Sequence, residues 1–148
     1  MSSPIAYALQ FRGEAVALGD GRFHAETRAP SCILVTVVGR DGVGGRFEEV
    51  GSGEAVCERE LELRDDGTLS ETGEIAFGAG AAISFRAEGE IGASPDPRLR
   101  HGTAVCEVTG GRGRLAGARG YISSNFLLSD TGDLTDHHLG LLFLEQPD

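Results

Sequence analysis

Tryptophan is absent from this chain, methionine occurs once, and seven phenylalanines and two tyrosines bring the aromatic content to only 6%. Hydrophobic residues still make up 40%, so the composition is that of a globular protein and not of a disordered chain. Basic residues are few beside acidic ones, 13 against 23, for a net charge of −10. There is no basic cluster with interleaved aromatics, and a polyanion would have to overcome self-repulsion, so a nucleic-acid partner is excluded. No run approaches the roughly 20 apolar residues that span a bilayer. The first residues, MSSPIAYALQF, carry no basic segment ahead of an apolar one. The expectation is a soluble, cytoplasmic protein without a membrane partner. The cysteines Cys32, Cys57 and Cys106 are odd in number and sit inside apolar strand patterns, which predicts buried reduced thiols and no disulfide framework.

Catalytic signatures are missing as well. The chain has no G-x-S-x-G, H-E-x-x-H, C-x-x-C or phosphate-binding loop. Gly111-Arg112-Gly113 lies in a predicted β-hairpin and not at a strand-to-helix junction, which removes a dinucleotide fingerprint. His137 and His138 are adjacent, so on a strand they point to opposite faces and cannot share one metal ion. No metal and no cofactor is expected.

What the chain does have is glycine, 23 residues in 148, with turn signals spaced for many short strands. This predicts one all-β domain over residues 1–148, large enough to bury a core unaided. Predicted strands cover Ile5–Phe11 with Gly13–Leu18 as its continuation, Arg22–Arg28, Cys32–Val38, Glu54–Leu63, Thr68–Phe77, Ala82–Ile91, the segment entering Gly110-Gly111, Tyr121–Leu128 and Thr135–Glu145. Cys32–Val38 is apolar throughout and is expected to be central, covered on both faces. Gly73 reads as a bulge. The unbroken LGLLFL of the last strand predicts burial on both faces and hence a subunit contact. Ser94-Pro95-Asp96-Pro97 reads as a loop at a barrel mouth.

The clearest alternation is Glu54–Leu63, with Glu54, Glu58, Glu60 and Glu62 on one face and Ala55, Cys57, Arg59, Leu61 and Leu63 on the other. Arg59 therefore points inward. A guanidinium does not shed its charge on burial, so it must meet a carboxylate across the interior, reach water at a strand end, or hold a ligand anion. In Ala82–Ile91 the inward set is Ile83, Phe85, Ala87, Gly89 and Ile91. Small residues at 87 and 89 leave room for a ligand or for a bulky neighbour. Tyr121–Leu128 has two mixed faces, and if the Tyr121/Asn125 face lines the interior, both residues orient a substrate oxygen.

Val108 to Gly120 reads V-T-G-G-x-G-x-L-x-G-x-x-G, which resembles the late hairpin of allene oxide cyclases and plant dirigent proteins. The resemblance is best from Ala82 to Phe143. It implies a single closed antiparallel barrel of about eight strands, calycin-like in plan, and a homodimer or homotrimer. It also implies an activity: members of such families, including bacterial polyketide cyclases, fold a reactive hydrophobic intermediate so that bond-forming atoms meet. On that reading this protein is a cyclase or isomerase of natural-product biosynthesis, with Arg59, Tyr121 and Asn125 orienting a carbonyl or enolate oxygen. Cys57, Leu61, Ile83 and Phe85 then contact the hydrophobic small-molecule substrate, and Arg59→Met abolishes turnover with the fold intact. A carrier of a hydrophobic metabolite and a barrel filled by its own side chains are the alternatives.

Overall fold

The structure, a computed structural model, describes residues 4–39, 42–78 and 80–144, and over 30–39 and 42–53 the backbone alone. Eight strands follow one another, β1 (Ile5–Gly19), β2 (Arg22–Gly39), β3 (Gly42–Leu63), β4 (Thr68–Ala76), β5 (Ala82–Ala93), β6 (Leu99–Arg112), β7 (Arg119–Ser129) and β8 (Asp133–Phe143). Each pairs antiparallel with the next and β8 returns to β1, so the sheet is a closed up-and-down barrel. Closure satisfies the edge strands that an open sheet would leave exposed. The described residues contain no helix long and apolar enough to cross a membrane.

Period-2 alternation decides what fills the barrel. In β3, Ala55, Cys57, Arg59 and Leu61 are buried while Glu54, Glu58, Glu60 and Glu62 are exposed, as the sequence predicts. In β5, Ile83, Phe85 and Ala87 point in. On the outer face His24 of β2 meets Glu60 of β3 at 2.8 Å, a solvated contact.

Three inward glycines stand directly opposite an aromatic residue on the neighbouring strand: Gly140 opposite Tyr7, Gly73 opposite Phe85 and Gly102 opposite Phe126. Each ring folds over the bare backbone of its glycine. A Cβ on Gly102 would fall inside the Phe126 ring, one on Gly140 inside the Tyr7 ring, and one on Gly73 would lie 2.7 Å from Phe85 Cζ. Gly73 is thus a seat for an aromatic ring and not a bulge, and the pairing of β4 runs through it without a register shift. Fully burying each of these rings stabilises the barrel by about 1.5–3 kcal/mol.

Several local expectations change. The glycine-rich hairpin does not turn at Gly110-Gly111: these residues lie in β6, where Ser84 pairs with Gly110 and Phe85 with Val108, so Thr109 is the extra residue of a bulge. The reversal comes later, through a 3-10 turn at Gly113–Leu115 closed by Ala116 N–H donating to Gly113 O at 3.1 Å, and a following turn closed by Ala118 N–H donating to Leu115 O at 3.0 Å. Cys32–Val38 belongs to β2, yet its backbone pairs with 43–49 of β3 in a two-stranded extension, so in the described pairings it is not central. Its side chains, Cys32 included, lie outside the described residues. Strand β8 buries one face only, since Leu139, Leu141 and Phe143 point outward and are exposed on the single chain.

Gly102→Ala should destabilise the barrel by about 1–3 kcal/mol, the cost of forcing a methyl into a packed ring. The same change on a Phe126→Leu background should cost less. Urea unfolding of the four proteins measures the coupling, and equal costs on both backgrounds would refute the glycine seat.

Candidate functional site

The middle of the barrel holds a polar layer between two apolar ones. Arg59 (β3), Asp136 and His138 (β8), Glu71 (β4), Ser124 (β7) and Thr27 (β2) are all buried, and the side chains of Arg59, Glu71, Asp136 and His138 have no exposure at all. Arg59 meets its obligation across the lumen. Its Nη1 donates to Asp136 Oδ2 at 2.5 Å and lies 3.8 Å from Glu71 Oε2, while Nη2 donates to Thr27 Oγ1 at 3.4 Å. The ion pair across the barrel is therefore the reading of Arg59 that the geometry bears out.

Asp136 is the hub. Oδ2 also accepts from His138 Nε2 at 2.8 Å, and Oδ1 accepts from Ser124 Oγ at 2.7 Å. Burial disfavours its charge, but His138, the Arg59 guanidinium and the hydrogen bonds from His138 and Ser124 outweigh that and hold the carboxyl well below the usual range. A carboxylate so engaged can only accept, so Nε2 of His138 carries the proton and Nδ1 is left as the free position. The His138 ring is clamped by edge-on contacts to Phe11 and Phe85, with centroids 4.9 and 6.5 Å away.

Glu71 has a weaker hold. Its Oε1 accepts only a long contact from Cys106 Sγ at 3.7 Å, and Oε2 has no hydrogen-bond partner. Burial raises its pKa, opposed in part by Arg59. Burial likewise pushes the Cys57 thiol up to about 11 and raises Cys106 and Tyr7. Neither thiol is an activated nucleophile. Among the described residues, Tyr7 OH, Arg59 Nε, Glu71 Oε2 and His138 Nδ1 are buried polar atoms without a partner. Each such atom costs about 1–3 kcal/mol.

At one end of the barrel Leu63, Phe23 and Ile91 meet the Ser94–Leu99 loop. A cavity of about 630 Å³ opens there, lined by Phe23, Leu63, Ile91, Pro97, Leu99 and Arg100. Ser94 ties the loop down: its Oγ lies 2.8 Å from the carbonyl oxygens of both Asp96 and Leu99, which share its one hydrogen. Beneath it Leu61, Phe126, Leu128 and Leu134 close around a void of about 10 Å³. A depression of about 760 Å³ on the outer wall, among Glu60, Glu62, Arg86, Glu88 and Glu107, is lined largely by solvated charges and also touches Glu71, whose side chain is itself fully buried.

Of the residues singled out in the sequence, Arg59, Cys57, Leu61, Ile83 and Phe85 share this interior. Tyr121 and Asn125 do not. Tyr121 is 61% exposed, and Asn125 sits beside it on the outer face, where its Oδ1 contacts His101 Nε2. The inner face of β7 is Ile122, Ser124, Phe126 and Leu128, so both residues are removed from the site. The sequence reading missed Glu71, Ser124, Asp136, His138 and Tyr7. The available signal was parity: Glu71 shares its face with Leu69 and Ile75, and Asp136 and His138 share theirs with Leu134 and Leu142. His137 points out and His138 in, as adjacency requires.

Arg59→Met leaves Asp136 charged in a dry interior, so it should destabilise the fold by about 3–5 kcal/mol, contrary to the expectation of an intact fold. Arg59→Met/Asp136→Leu should recover most of that in urea unfolding, and a fully stable single variant would refute the pairing. Because the folded-state pKa of Glu71 is raised, its stabilising contribution is full below the unfolded carboxylate pKa and is lost as pH rises through the folded value. The melting temperature of Glu71→Gln relative to the parent should therefore climb from pH 5 to pH 8, and a difference that is flat or falls would refute the shift.

Comparison with family models, with curated proteins and with solved structures gives no match for this chain, which leaves the barrel and its buried layer as the basis for function.

Proposed function

We propose that this protein is a small-molecule cyclase or isomerase that takes a hydrophobic, reactive intermediate through the barrel mouth and folds it over the buried polar layer. The observation that carries this reading is the set of unpartnered buried atoms, Tyr7 OH, Arg59 Nε, Glu71 Oε2 and His138 Nδ1, beneath an apolar throat. Two are donors suited to a carbonyl or enolate oxygen, and in a dry lumen such bonds are stronger than in water. The walls contributed by Phe85, Ile83, Phe11 and Leu61 fold an apolar chain compactly, and such confinement lowers the entropic part of a ring-closure barrier. The closed eight-stranded plan agrees with what the hairpin resemblance implies, although many barrels share that plan.

A second reading, a barrel filled by its own side chains, is favoured by one observation: the void under the mouth holds about 10 Å³. Turnover then requires Phe126 and Leu128 to swing aside. The discriminating experiment is incubation of the purified chain with a metabolite extract from the host lacking this gene, followed by liquid chromatography and mass spectrometry. The expected result is a compound that keeps its mass and changes retention time catalytically. A compound retained unchanged would make the protein a carrier, and no retained or converted compound would support the filled barrel.

A further inference from the structure

We infer that His138 and Glu71 form a proton-transfer couple, and that the substrate is a hydrophobic carbonyl compound with an acidic hydrogen on the carbon next to the carbonyl. This rests on the lumen being the site, as proposed above, and adds the chemistry. The observation that points to it is that both side chains are wholly buried and each still presents an unpartnered atom, Nδ1 on His138 and Oε2 on Glu71.

His138 has the geometry of an oriented base. Asp136 Oδ2 holds the Nε2 hydrogen at 2.8 Å, and the ring contacts of Phe11 and Phe85 restrict rotation. With Nε2 committed to Asp136, Nδ1 is the ring nitrogen left without a partner. Glu71 is the matching acid, for its open oxygen has no donor to accept from and, protonated, has a hydrogen to give.

The step balances. His138 Nδ1 takes the α-hydrogen as a proton, the C–H pair forms the carbon–carbon double bond, and the carbonyl π pair goes to oxygen, which takes the proton from Glu71. The enol is neutral, His138 is a cation beside the Asp136 carboxylate, and Glu71 is an anion 3.8 Å from Arg59 Nη1. Both new charges form where an opposite fixed charge already stands. For ring closure the enol carbon attacks a second carbonyl carbon of the same molecule, the new alkoxide takes the proton from His138, and the enol hydroxyl returns its proton to Glu71. For isomerisation of a β,γ-unsaturated carbonyl compound, the dienol takes the proton from His138 at its γ-carbon, the double bond shifts into conjugation, the carbonyl re-forms and the hydroxyl returns its proton to Glu71. No oxidant, metal or cosubstrate is consumed and mass is conserved.

The test does not need the natural substrate. The full chain is incubated in D2O with 2-tetralone, a hydrophobic ketone with acidic α-hydrogens. Proton NMR follows loss of the α-hydrogen signal, and saturation transfer reports binding of the same ketone. Exchange at least tenfold above buffer is expected, falling about 10²-fold or to background in His138→Gln and in Glu71→Gln with binding retained, the size typical of a lost general base or acid. Because a core variant can fail to fold, the parent protein labelled with ¹⁵N-histidine supplies a second readout, in which His138 must carry hydrogen on Nε2 and none on Nδ1. Exchange that persists in folded His138→Gln or Glu71→Gln overturns the couple, as does a proton fixed on Nδ1. Binding without exchange overturns the couple and leaves the lumen reading standing. No binding overturns it too, because the layer is then closed to such carbonyl compounds. An isomerised product from the extract under any of these results separates failure of this inference from failure of the proposed function.

Discussion

A guanidinium that cannot lose its charge has to be answered wherever the fold puts it, and in this barrel the answer is Asp136, 2.5 Å away on the far side of the lumen. That contact joins β3 to β8, strands that are not sheet neighbours, so it ties opposite walls of the barrel together. It also distributes the remaining polar groups. Asp136 is shared among Arg59, His138 and Ser124, which fixes the His138 ring, and Arg59 has only a long ion pair to spare for Glu71.

Apolar layers on both sides make this arrangement consequential. Leu61, Phe126, Leu128 and Leu134 separate the polar layer from the mouth, and Tyr7, Ile75, Ile83 and Ile122 extend the core around it. Water is thereby kept from the charges, which strengthens the Arg59–Asp136 attraction and raises the penalty for every hydrogen bond left unmade. The glycine seats serve the same end by letting rings lie flat on the wall where a methyl group would hold them off. A dry interior with a fixed charge pattern is the shared requirement of the proposed ring closure and the proposed proton transfer.

Much of the barrel was legible because strand periodicity is local. The inward direction of Arg59 followed from its neighbours at 55, 57 and 61, and the inner set of β5 followed in the same way. Tyr121–Leu128 failed for a definable reason: both of its faces mix polar and apolar residues, so periodicity gave no preference. What settles it is the cross-strand partner, since Phe126 can point in only if a neighbour gives way, and Gly102 does. Gly73 was misread as a bulge because a glycine in a strand signals either a bulge or a close approach, and the approaching group, Phe85, comes from another strand.

The amino-acid sequence by itself determined the all-β class, the turns at 19–21, 65–67 and 129–132, the face taken by each residue in the cleanly alternating strands, and the need of Arg59 for a counter-charge. These depend on neighbours one to four residues away. Only the tertiary structure decided that the counter-charge is Asp136, that Tyr121 and Asn125 stand outside, and that His138 and Glu71 enter one layer with open atoms. Arg59 and Asp136 are 77 positions apart, and their meeting depends on the order of closure and the register of every strand between them. No local pattern encodes that sum.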